Sequence, residues 1–210
     1  MWSFTAIFSK NTLHIGVRQG ILVGMHKSKE TVYTHTYDSP IGPLYLAVDR
    51  RGAVMNVSFV PPRFSEQYIL EENKYACGEL ELELDEYFAG TRETFTPALR
   101  FEGTAFQEAV WKRLTRIPYG QTWTYGTVAQ KIGRRDAARA VGNAVARNPI
   151  CLLIPCHRVV PANGGLGSYG VRSLGSETGA EDKRWLLSHE GAIPGVGARR
   201  EIETVREVSA

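Results

Sequence analysis

The stretch "TYGTVAQKIGRRDAARAVGNAVARNP", residues 124–149, sets two helical patterns around a single tight turn. Tyr125, Val128 and Ile132 fall on one face of a helix that stops at Gly133. A second helix, with Ala137, Ala138, Ala140, Gly142 and Ala144 leaving one side nearly bare, ends at Asn148-Pro149. Pro149 fixes its own φ and has no N–H to continue the ladder. Two short helices joined by a glycine turn form a helix-turn-helix, whose second helix suits a DNA groove. A helical hairpin that binds nothing carries the same pattern. The basic run of Arg134, Arg135, Arg139 and Arg147 shifts the balance towards a polyanion partner.

Working outward towards the N-terminus, "TAFQEAVWKRLTRI" places Phe106, Val110 and Leu114 on one helical face, with Thr104 as its cap. Residues 92–103 read as a short strand and linker. Before them, Leu80, Leu84 and Tyr87/Phe88 recur at helical spacing, with acids between and Gly90 as a stop. Val32–Tyr37, Leu44–Val48 and Val54–Val60 read as antiparallel strands, the last two split by the hairpin signal Asp49-Arg50-Arg51-Gly52. The chain is thus an α+β protein with a sheet-and-helix module followed by a helical one. The division falls at residues 25–99 and 100–193, with residues 1–24 read as a dispensable extension or an upstream start, and a peripheral tail over 194–210.

The charge follows this division. Residues 1–99 hold nine basic and twelve acidic side chains, and residues 100–210 hold sixteen and ten. The second module is therefore the one suited to a polyanion. No apolar run approaches the ~20 residues a membrane helix needs, and the first 24 residues lack the continuous apolar core of a signal peptide. Three cysteines, with no CxxC pair, make no disulfide framework and fit a reducing compartment. Cys77 reads as a packing or surface thiol.

Just beyond the second helix lies "LLIPCHRVV", residues 152–160, where a thiol, an imidazole and a guanidinium follow an apolar run. A zinc site would need about four suitably spaced ligands, and Cys77 with His14, His26, His35 and His189 offers no such spacing. A thiol hydrolase needs a nucleophile, a base and an orienting group. An inert buried cysteine beside a surface histidine is the plainest alternative.

The wider context resembles the O6-alkylguanine-DNA alkyltransferase family, proteins that move an alkyl group from guanine onto their own cysteine. The signature "PCHRVV" is preceded by "SPIGPL" (39–44), "YGQTWTYGTVAQKIG" (119–133) and "AARAVGNAVARNP" (137–149) and followed by "KRWLLSHEG" (183–191), in the family's order. The likeness spans roughly residues 30–192. It implies a ribonuclease H-like first domain and a winged helix-turn-helix-like second one.

The resemblance also assigns residues. Cys156 matches the alkyl-accepting thiol, His157 the base that takes its proton through a water, and Glu190 the carboxylate that orients the base. Asn148 matches the brace of the active-site turn. Tyr125 matches the residue that crowds a phosphate, promotes nucleotide rotation and protonates the leaving guanine. Arg139 matches the finger that fills the space of the flipped base, with Gly126, Arg134 and Arg135 at the DNA backbone. Pro155, Val159, Tyr169 and Gly170 would line the base pocket. Gly170 departs from members that carry a serine there, and "GVRSLGSETGAED" after Tyr169 is longer than usual. The resemblance implies single-turnover repair of O6-alkylguanine, with O4-alkylthymine left open, by a cytoplasmic monomer (nuclear in a eukaryote). Double-stranded DNA is the partner, with no cofactor, metal or membrane. A binding module that marks lesions without reacting, and a turning-over thiol hydrolase, are the rivals.

Overall fold

The computed structural model describes residues 6–9, 12–15, 23–25, 29–169 and 177–193. The first three segments are the strands β1 (Ala6–Ser9), β2 (Thr12–Ile15) and β3 (Val23–Met25). They pair antiparallel in chain order as a sheet of their own, which lies, but for Met25, in the segment read from sequence as an extension.

The main sheet has the order β6-β5-β4-β7. Its strands are β4 (Glu30–Ser39), β5 (Gly42–Asp49), β6 (Val54–Ser58) and β7 (Tyr68–Glu72). β4, β5 and β6 form the expected antiparallel meander. Asp49 closes the β5–β6 turn by accepting from the Arg51 and Ala53 amides at 2.8 and 3.0 Å. β7 was not legible in the sequence. It lies parallel to β4 at the sheet edge, and its exposed Ile69 and Leu70 break the alternation that marks a half-buried strand. The short strand expected within residues 92–103 is reduced to one bridge. Leu99 pairs with Val54, because residues 98–100 meet β6 only around that residue.

Helix α1 (Lys74–Phe88) starts on the Asn73 side chain and covers one sheet face. Its Leu80, Leu84 and Tyr87 enter the same core as Leu44, Leu46 and Val57. Truncating one of these leucines to alanine costs about 2–5 kcal/mol, because the cavity only partly collapses. Cys77 is a buried packing thiol there.

The second module opens with α2 (Ala105–Leu114), where Thr104 and Gln107 form a reciprocal capping box. The short strand β8 (Trp123–Thr124) leads into α3 (Tyr125–Lys131), capped by Thr124. Gly133, at φ +72°, supplies the left-handed residue that the turn requires. α4 (Ala138–Val145) follows and is shorter than its sequence pattern. Arg134, Arg135 and Ala137 belong to the turn, and Arg147 lies beyond its end. α4 sinks Val141, Ala144 and Val145 into the core, and the Ala144 carbonyl accepts from Trp111 Nε1 of α2 at 2.9 Å. β9 (Val159–Val160) pairs parallel with β8, and α5 (Glu177–His189) closes the described fold.

The two modules are stitched backbone to backbone beside the "PCHR" turn. Val57 of β6 donates its amide to Pro149 O at 3.0 Å and accepts from the Cys151 amide at 2.7 Å. The segment that carries the reactive thiol is therefore pinned to the edge of the first module's sheet.

Candidate active site

Asn148 sets the local shape of the site. Its side-chain amide donates to the carbonyls of Ile154 at 2.8 Å and Ile150 at 3.4 Å, while its Oδ1 accepts from the Ile150 amide at 3.0 Å. Both ends of a hairpin-like turn are thus tied to one side chain. Within it Leu152 takes φ +70°, the only described non-glycine residue in the left-handed region. Such a conformation costs of order 1–3 kcal/mol and persists only where its surroundings hold it. A 3-10 turn over Cys156–Arg158 follows directly.

Cys156 heads that turn and is 1% exposed. Its Sγ lies 3.9 Å from the Tyr169 hydroxyl, whose ring meets Phe59 of the first module edge-on at 5.9 Å. Burial works against the thiolate. Hydrogen bonds from Cys151, Asn148 and Tyr169, with the Lys183 charge, outweigh it and bring the thiol below its ordinary pKa. Cys151 behaves oppositely: its hydrogen bond to Cys156, with burial, keeps it a protonated donor. Burial lowers the Lys183 ammonium to about 8, partly offset by the Cys156 charge. Its Nζ donates to Val159 O at 2.7 Å.

His157 is fully buried, and its Nε2 sits 2.8 Å from Glu190 Oε1. Burial lowers its pKa below the usual imidazole value despite the carboxylate, so the ring is neutral at pH 7. Its Nδ1 is buried without a hydrogen-bond partner among the described residues. Glu190 follows the end of α5 and also receives Arg158, Nε to Oε2 at 2.8 Å and Nη2 to Oε1 at 2.9 Å. Burial opposes its ionisation, but His157 and Arg158 outweigh it, and the carboxyl stays ionised well below the usual range. Gly120, at φ +69°, lets the chain pass the Glu190 carbonyl where a Cβ would approach to 2.9 Å. Arg158 Nη1 donates to Ile117 O at 2.7 Å, and its guanidinium lies over the Tyr119 ring.

The structure brings together Cys156, His157, Glu190, Asn148 and Tyr169, as their motifs suggested. Tyr125, the first residue of α3, is half-buried. Burial and the Cys156 charge raise its phenol pKa, so it remains a proton donor. Val159 is buried beside the turn. Pro155 lines a different recess, of about 230 Å³, with Leu153, Arg158, Tyr119 and Phe95. Gly126, Arg134, Arg135 and Arg139 are each exposed on the α3–turn–α4 unit. Gly170 lies outside the described residues.

Sequence reasoning gave no site role to Cys151, Lys183, Arg158, Tyr87 and Phe59. Lys183, within the apolar "KRWLL", carried a usable signal, a cation at a position where helical periodicity expects burial. Phe59 and Tyr87 carried none, because aromatic residues in a strand and a helix face read as core.

Known proteins complete the comparison. Residues 105–192 match the 6-O-methylguanine DNA methyltransferase DNA binding domain, and residues 32–101 match the ribonuclease-like domain of the same methyltransferases. A methylated-DNA–protein-cysteine methyltransferase of Methanosarcina acetivorans is 41% identical over 165 residues, covering 77% of this chain and 99% of its own. That of Mycobacterium leprae is 44% identical over 142 residues, covering 66% and 84%. Among solved structures, the Mycobacterium tuberculosis O6-methylguanine methyltransferase superposes with a TM-score of 0.65 at 37% identity, covering 79% and 96%. The Mycobacterium tuberculosis OGT in complex with DNA gives 0.65 at 38%, covering 77% and 93%. Matched in both modules, and along nearly the whole length of relatives that share two residues in five, the chain belongs to the 6-O-methylguanine DNA methyltransferase family.

Proposed function

We propose that this protein repairs DNA by transferring an alkyl group from O6-alkylguanine in a duplex to Cys156, once per molecule. The observation that carries this reading is the buried Cys156 thiol, held below its ordinary pKa beside a neutral imidazole anchored on a buried carboxylate. The thiolate is the nucleophile in sulfur chemistry. An inert core cysteine would show the opposite shift, as Cys151 and Cys77 do.

The chemistry runs as one displacement. The Cys156 proton passes through a water to His157 Nδ1, the ring nitrogen not committed to Glu190, and Glu190 stabilises the imidazolium that forms. The sulfur attacks the alkyl carbon and the carbon–O6 bond breaks. Guanine takes a proton from Tyr125, which His157 restores through solvent, and a thioether remains. No cofactor enters this balance. Asn148 fixes the turn, while Tyr169 and Val159 shape the pocket wall, with Gly170 beyond Tyr169 in sequence.

The lesion must leave the stack to reach a buried sulfur. Unstacking costs a few kcal/mol, least for a damaged base. Arg139 stands on the outer side of α4, next to the exposed Ala140, and fills the vacated space. Arg134, Arg135 and Gly126 contact the phosphates, giving affinity without sequence preference. The working unit is a cytoplasmic monomer, with residues 25–99 as scaffold and residues 100–193 carrying DNA and alkyl group.

Intact and peptide mass spectrometry after incubation with an O6-methylguanine duplex tests this. A gain of one methyl group on Cys156 supports it. Lesion binding without mass gain supports the damage-marking rival and overturns it.

A further inference from the structure

The relay carboxylate has a fourth donor, and it comes from the other module. Tyr87, near the end of α1, places its hydroxyl 2.7 Å from Glu190 Oε1, the same oxygen that meets His157 Nε2. Tyr87 is 0% exposed. Its ring is held by Phe88, Phe95, Tyr119 and His189, with centroids 5.3 to 6.3 Å away. Its carbonyl also lies 2.7 Å from His189 Nε2, so α1 and the end of α5 are joined twice.

From this geometry we infer that Tyr87 is a positioning residue for alkyl transfer, completing the His157–Glu190 pair across the boundary between the modules. The inference rests on the repair reading above. A buried phenol beside a carboxylate is always a donor, because burial and the Glu190 charge raise its pKa well above the ordinary value. Its hydrogen bond fixes the carboxylate rotamer and draws off charge from Oε1. Without it Oε1 holds more charge and attracts the imidazolium more strongly. His157 then keeps a proton to higher pH and cannot accept one from the Cys156 thiol.

The test is the pH profile of single-turnover methyl transfer for the parent and Tyr87→Phe, which retains the ring. Tyr87→Phe is expected to move the acid limb up by about one pH unit, a roughly tenfold loss at a fixed pH on that limb. The rate should largely recover above it. A control, Phe95→Leu, disturbs the same ring cluster without touching Glu190; it should lower Tm and leave the limb in place. Incorporating 3-fluorotyrosine at position 87, a stronger donor of nearly equal size, should move the limb down, and this arm stands even where Tyr87→Phe folds poorly. A uniform loss of rate in Tyr87→Phe with an unmoved limb, or an unmoved limb with 3-fluorotyrosine, overturns the inference. A parent that transfers no methyl group sinks the repair reading instead. The inference is then read from the His157 titration by NMR, where an upward shift in Tyr87→Phe supports it and an unchanged titration overturns it.

Discussion

Two regions of the second module use charge in opposite ways. Glu190 and the charged Arg158 are buried and tied: the carboxylate takes His157, Arg158 and Tyr87, and Arg158 also reaches the Ile117 carbonyl. On the α3–turn–α4 surface, Arg134, Arg135 and Arg139 are exposed. The first arrangement fixes atoms to within a hydrogen bond and is costly to disturb. The second adds positive potential, which acts at range and weakens with salt. The comparison teaches that precision and attraction are separate properties, built by burial and by exposure.

That contrast fails first at its strongest point. Glu190→Ala leaves Arg158 buried without its partner and is expected to cost about 3–5 kcal/mol. Urea unfolding at pH 7 measures it, and a loss near that of an ordinary surface substitution would mean that the network is not closed. Asn148→Ala is smaller. It frees the Ile150 and Ile154 backbone groups and costs about 1–3 kcal/mol, with a clear loss of methyl transfer at unchanged DNA affinity.

The pH dependence sharpens the same contrast. His157 has a folded pKa below its unfolded value of about 6.5, so below that pH the unfolded chain binds the extra proton and stability falls. Glu190 is depressed below its unfolded value of about 4.3, so its contribution is present above that pH and lost as pH falls through its folded value. Stability should therefore decline in two stages between pH 7 and strong acid. In Glu190→Gln the lower stage should largely vanish in thermal melts.

The exposed arginines give the smallest stability effects. Arg134→Ala and Arg135→Ala should each leave unfolding within about 0.5 kcal/mol of the parent. Each should also make the slope of log affinity against log salt shallower by about 0.9. An unchanged slope would remove that residue from the DNA face.

Legibility in the sequence follows the same division. The meander, α1, α2 and the helix-turn-helix were readable, because each has a local period or a cap within a few residues. Cys156, His157 and Glu190 were readable because their motifs hold reactive groups at fixed places along the chain. What escaped depends on long-range closure. β7 pairs with a strand some forty residues earlier in the chain and has no alternation of its own. Tyr87 meets Glu190 across 103 positions, and a tyrosine on a helix's apolar face gives no sign of a polar partner. Pro155, assigned to the base pocket, faces a recess with Tyr119 and Arg158. A motif orders residues along the chain but does not say which side of a turn each one takes.

The most direct test of the central claim is a titration of O6-methylguanine duplex against protein, following lesion loss to completion alongside Cys156→Ser. The account predicts a plateau at one lesion removed per parent molecule and none for Cys156→Ser. Removal that continues past one equivalent, or that survives the serine substitution, would contradict it.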